Sequence, residues 1–127
     1  MAMNAVAGHE VESMTSDFTL LEAGMAAVEA RMHSVCNSTV TVLRDASRHI
    51  LSAGGKRVRP RLVVLSYLAA GGRDVESIAP VAAALELVHT ASVVHDDIND
   101  HGVVRRGKPS VNALWGRTFA LLTGDFL

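Results

Sequence analysis

The sequence predicts an all-α fold, on three observations. Hydrophobic residues make up 49% of the 127 residues but aromatics only 4%, so the core must be built from Ala, Val and Leu. That composition favours packed helices over a sheet of aromatic strands. Apolar residues recur at helical spacing between stops marked by Gly or Pro, and no stretch reads as a sheet. A chain of this length with 20% charged residues suits one domain that folds and buries a core.

Residues 1 to about 15 are polar or small and lack periodicity, which predicts a loose tail. Ser16-Asp17 can cap a first helix carrying Leu20, Leu21, Met25 and Val28. A second helix is expected from about Thr39 to Ser52, with Val42, Leu43, Ala46, Ile50 and Leu51 on one side and Gly54-Gly55 at its end. Pro60 suits the first turn of a third helix, which Gly71-Gly72 stops. A fourth helix should start at Ser77, pass through "PVAAALELVHTASVVHDDIND" and break near Gly102. After a basic loop, Pro109-Ser110 opens a fifth helix through Trp115 and Leu121. The closing "LLTGDFL" is still helical in pattern and lacks a cap, so the chain is expected to be truncated.

Charge and cysteine content exclude several classes. The formal net charge is -1, and no aromatics interleave with the basic clusters, so nucleic-acid binding is not expected. The single cysteine, Cys36, rules out an internal disulfide framework and suits a reducing cytoplasm. The N-terminus lacks the basic and apolar regions of a signal peptide. The longest apolar stretch, Leu62 to Ala70, falls short of the ~20 residues that span a bilayer.

Two kinds of charge cluster carry chemistry. On a helix turning about 100° per residue, Asp100 falls roughly 40° and Asp97 roughly 100° from Asp96, so the three carboxylates share a face with His89. Like charges at this spacing repel and call for a cation. Carboxylate oxygens suit Mg²⁺, which takes one or two carboxylates, waters and substrate phosphates. A solvated acidic turn is the plain alternative, but the helix leading to it is almost entirely apolar, which favours a cavity mouth. His95-Asp96 with an upstream histidine also fits a metal-dependent phosphohydrolase. His95 is otherwise a packing residue and His101 a loop residue; His9, His33 and His49 carry no signal.

Seven of the twelve Lys and Arg residues lie in "GGKRVRPR" and "RRGKP". Each stretch sits at a helix junction, where Arg forks and Lys point charges bind phosphate. Neither has the spacing of a nucleotide P-loop. If Gly102 turns the chain, Arg105 and Arg106 fold back toward the carboxylates, and the ligand should carry a diphosphate.

"GGKRVRP", "ELVHTASVVHDDIND", "RRGKPSVN" and "LLTGDFL", in this order and spacing, resemble the trans-type polyprenyl diphosphate synthases over about residues 40 to 127. "DDIND" is similar to that family's first D-D-x-x-D motif. The resemblance implies the isoprenoid-synthase helical bundle with a central cavity, a homodimer, and condensation of isopentenyl diphosphate with an allylic diphosphate. It implies that Asp96 and Asp100, with Asp97 assisting, hold Mg²⁺, and that Arg105 binds the allylic diphosphate. Lys56, Arg59, His89 and Arg106 would bind isopentenyl diphosphate. Ala91 and Ser92 fall where short-chain members carry bulky aromatics, which implies a product of C20 length or longer. A second aspartate-rich motif belongs to the family but not to these residues, so the chain alone is expected to be nearly inactive. A non-catalytic diphosphate-binding partner subunit is the alternative.

Overall fold

The computed structural model describes residues 2–127, with side chains from Val6 onward. Among them, α1 is Ala2–Val35, α2 Thr41–Ser52, α3 Val58–Ala69 and α4 Val75–Asn99. A hairpin of β1 (Val104–Arg105) and β2 (Lys108–Pro109) follows, then α5 (Val111–Trp115) and α6 (Arg117–Phe126). The all-α expectation holds, with three local corrections.

The first concerns the expected tail. Helix α1 runs back to Ala2, and Ser16-Asp17 lies inside it; Met1 falls outside the described residues. The segment holds no proline, and its Ala, Met and Glu are good helix formers, so want of an apolar face does not mean want of a helix. Residues 6–16 are all exposed, so among the described residues this part of α1 is not packed into a core. Asp17 accepts a 2.9 Å hydrogen bond from Arg73 rather than capping a helix end.

The second is the hairpin, where a plain loop is expected. Val104 pairs with Pro109 and Arg105 with Lys108, antiparallel. Arg106 (φ 50°) and Gly107 (φ 75°) fill the two central turn positions, the positive-φ pair of a tight hairpin turn. Strands of two residues are too short to show alternation. The third is the split of the last helix at Gly116, whose φ of 82° and ψ of 166° interrupt the helical backbone.

The main core joins α1, α3 and α4. Leu21, Met25, Val28 and Met32 of α1 meet Val64 and Leu68 of α3 and Ala79, Ala82, Ala83 and Leu87 of α4. No aromatic side chain is among its buried members in the described residues, as the composition predicts. A smaller cluster of Ala46, Ile98, Val111 and Ala120 joins α2 and α4 to the last two helices. Small residues let the helices close in. A β-carbon on Gly24 would stand 2.9 Å from Val64 Cγ1 and 3.2 Å from Val75 Cβ. Both neighbours are stiff, buried valines. Gly24→Ala is therefore expected to cost about 1–3 kcal/mol by overpacking, despite alanine's better helix propensity; urea unfolding measures it.

Helix α4 is long and apolar enough to cross a membrane by length and composition, which a search for unbroken apolar runs misses. Ten of its residues are buried in the fold, Val81, Leu85 and Val88 are exposed, and the helix carries Glu86, His89 and the acidic C-terminal end.

Candidate functional site

The acidic end of α4 is shaped by how the helix stops. Asp100 is its C-cap, His101 takes φ 54°, and Gly102 N–H closes back on Asp97 C=O at 2.7 Å. This turn sends the chain back along α4 and splits the three carboxylates. Asp96 and Asp100 are exposed, whereas Asp97 is buried. The expectation of three carboxylates on one open face is thus corrected: Asp97 turns inward to meet the hairpin.

Arg105 is what it meets. Arg105 Nε donates to Asp97 Oδ2 at 3.2 Å and Nη2 donates to Oδ1, a forked pair. The arginines do fold back on the carboxylates. The hydrogen bond to Asp97 holds the guanidinium above its ordinary pKa; burial opposes it, and the charges of Asp97, Asp96 and Asp100 each add a smaller upward push. The tip of α4 is therefore a strongly negative region that reaches its nearest cation.

The rest of the hairpin is pinned to the end of α2. Arg106 Nη1 donates to Gly54 C=O, and Lys108 Nζ donates to Ser52 C=O at 3.3 Å. His49 Nε2 donates to Pro109 C=O at 2.8 Å, and its ring stands edge-on to Trp115 with centroids 5.5 Å apart. Ser110 closes the arrangement. Its Oγ donates to Gly102 C=O at 2.7 Å and accepts from Ala113 N–H at 3.2 Å, capping α5. Ser110→Ala removes both bonds and is expected to cost about 1 kcal/mol. Hydrogen exchange should show the amides of residues 103–113 opening faster.

The first basic stretch forms the loop between α2 and α3. Gly54 (φ 71°), Gly55 (φ 147°) and Arg57 (φ 51°) give it a tight left-handed path. Lys56 and Arg59 emerge exposed; Arg57 turns inward. One cleft is lined by Lys56, Arg57, Arg59, Glu86 and Arg106. A second, between α2, α4 and the hairpin, is lined by His49, Arg57, His89, Asp97, Arg105 and Arg106. The four residues expected to hold one diphosphate are therefore divided. Lys56, Arg59 and Arg106 come together, and His89 lies in the adjoining cleft with Arg105. Arg57 and Arg106 line both. Ala91, half-buried, and Ser92, exposed and donating to His89 C=O at 2.6 Å, line neither cleft.

The family described as polyprenyl synthetase matches residues 40–127. The chain belongs to this family. It is 50% identical over 94 residues to the short chain isoprenyl diphosphate synthase of Methanothermobacter thermautotrophicus, covering 74% of this chain and 29% of that protein. It is 44% identical over 110 residues to the heptaprenyl diphosphate synthase component 2 of Geobacillus stearothermophilus, covering 87% and 34%. The crystal structure of a Caulobacter crescentus polyprenyl synthase complexed with calcium and isoprenyl diphosphate superposes with a TM-score of 0.80 at 37% identity, covering 88% of this chain and 34% of that one. The chain thus spans about a third of the length of such relatives.

The donors present fit Mg²⁺. Among the described residues, no three His, Cys, Asp or Glu side chains converge into a closed metal cage. Asp96 and Asp100 instead offer two exposed hard-oxygen donors one turn apart. Mg²⁺ binds in that open manner, completing its shell with water and substrate phosphate.

Sequence reasoning missed Glu29, Glu86 and His49, and gave Arg57 only a share in the phosphate-binding basic cluster. Glu86 had a visible signal. It is the only Asp, Glu, Lys or Arg between Ser77 and Val94, and a lone acid in an apolar helix requires a cation. His49 had none, because its partner Pro109 is 60 residues away.

Proposed function

We propose that the protein carrying this chain is a prenyltransferase that condenses isopentenyl diphosphate with an allylic diphosphate. One observation carries the reading: an open carboxylate pair, Asp96 and Asp100, stands beside Arg105, and a second cationic cluster of Lys56, Arg59 and Arg106 adjoins it. Two diphosphates need two such cationic sites, and only one of them has to leave.

Asp96 and Asp100 would hold Mg²⁺, which when bound supplies positive charge to the leaving diphosphate. Arg105 orients the allylic diphosphate and stabilises the negative charge that grows as its C–O bond breaks. Lys56, Arg59 and Arg106 hold isopentenyl diphosphate, with His89 beside them in the next cleft. Its double bond attacks the allylic cation, a C–C bond forms, and a proton is lost to give the lengthened chain and pyrophosphate. The apolar wall of α4 keeps water from the cation. The resemblance at Ala91 and Ser92 points to a product of C20 length or longer, though neither residue lines the two clefts. The relatives' names include short-chain and heptaprenyl synthases and so do not choose a length.

The same reading places the protein in the cytoplasm as a homodimer. The family's second aspartate-rich motif has no counterpart in these residues, so the 127-residue chain alone is expected to turn over little substrate. The test is to incubate the natural protein with both diphosphates and Mg²⁺, following chain length and pyrophosphate together. Chain growth matched by pyrophosphate supports the reading. Phosphate release without growth points to a hydrolase. Diphosphate binding without turnover, until a catalytic chain is added, points to a partner subunit.

A further inference from the structure

We propose that Arg57 is a positioning residue for the isopentenyl diphosphate site, holding Lys56 and Arg59 in place and shielding the incoming anion from Glu86. The proposal rests on the prenyl-transfer reading of that cleft.

Three basic residues occur within four positions, yet they are used differently. Lys56 and Arg59 are exposed, whereas the Arg57 side chain is only 9% exposed. Its guanidinium is engaged on three sides. Nε donates to Glu29 Oε1 of α1 at 2.5 Å, and Nη2 donates to the Leu51 carbonyl of α2 at 3.2 Å. Nη1 lies 3.5 Å from Glu86 Oε1 of α4. One side chain therefore ties the start of α3 to three other helices. An arginine fork can serve three acceptors in different directions; the point charge of a lysine cannot do so in the same geometry.

The backbone needs that tie. Arg57 is the N-cap of α3 in left-handed conformation, a state that costs energy for a residue with a β-carbon. Its neighbours in the loop are Gly54 and Gly55, which resist bending least. Without the fork, little holds Lys56 and Arg59 in register across the cleft.

Charge supplies the second argument. Glu86 is 3% exposed and lines the cleft with Lys56, Arg59 and Arg106. Its Oε2 has no hydrogen-bond partner among the described residues. Arg57 is the only cation within ion-pairing distance of Glu86 among them. Removing Arg57 leaves a buried carboxylate facing a site that must accept a diphosphate.

The test is steady-state prenyl transfer by the natural protein, with KM measured separately for each diphosphate. Arg57→Met is expected to raise KM for isopentenyl diphosphate about tenfold, leaving the allylic KM within about twofold. Arg57→Lys should recover part of the loss, and so should adding Glu86→Gln to Arg57→Met. If Arg57→Met does not fold, Glu29→Gln decides: a rise of about threefold confined to the isopentenyl diphosphate KM supports the role, and no change overturns it. Unchanged KM values in Arg57→Met, or equal rises for both substrates, would also overturn it. Arg59→Ala separates the two layers. If Arg59→Ala raises the isopentenyl diphosphate KM and Arg57→Met does not, the positioning role alone fails. If Arg59→Ala itself has no effect, the site reading fails and the proposal with it.

Discussion

Asp96→Ala and Asp100→Ala, made singly in the natural protein, are each expected to lower kcat for prenyl transfer by about 10²–10³-fold. Both carboxylates are exposed at the end of α4 and spend no side-chain hydrogen bond among the described residues, so folding stability should hardly change. Raising Mg²⁺ should recover part of the rate, because each variant weakens rather than abolishes an open site. Asp97→Asn separates the third carboxylate from these two. Asp97 grips Arg105 from a buried position, so its loss frees the Arg105 guanidinium. The expected result is a higher KM for the allylic diphosphate with an unchanged Mg²⁺ requirement. Single-turnover assays at varied Mg²⁺ distinguish the two patterns.

Met32→Ala is expected to destabilise the fold by about 2–5 kcal/mol. Met32 is fully buried and is the last large side chain of the α1 stripe that begins at Leu21. Truncation leaves a cavity between α1, α3 and α4 that helices already in close contact cannot collapse to fill. Urea unfolding should show a lower midpoint with an unchanged slope. The variant bears on function as well as stability. Residues before position 40 lie outside the matched family region, yet they build one wall of the core and supply Glu29 to the Arg57 clamp. A chain begun at residue 40 would lack both.

Features written in local spacing were legible. Glycine and proline punctuation placed the second, third and fourth helices to within about two residues, because helix ends depend on nearby backbone conformation. The acidic tip and the return of Arg105 toward it followed from Gly102. What was not legible depends on distant partners. Nothing near Asp97 says that it faces inward while Asp96 faces out; the hairpin decides that. Nothing near Lys56, Arg57 and Arg59 says that the middle cation is buried. That follows only when Glu29 and Glu86 arrive from other helices. The tail failed for a different reason. A helix without an apolar face has no periodicity to read, and residues 6–16 are exposed on such a helix.

The most direct measurement is a crystal structure of the natural protein with isopentenyl diphosphate, a non-ionising allylic thiolodiphosphate and Mg²⁺. The account predicts Mg²⁺ held by Asp96 and Asp100, Arg105 on the allylic diphosphate, and the second diphosphate on Lys56, Arg59 and Arg106. Diphosphates bound elsewhere, or Mg²⁺ away from Asp96 and Asp100, would contradict it.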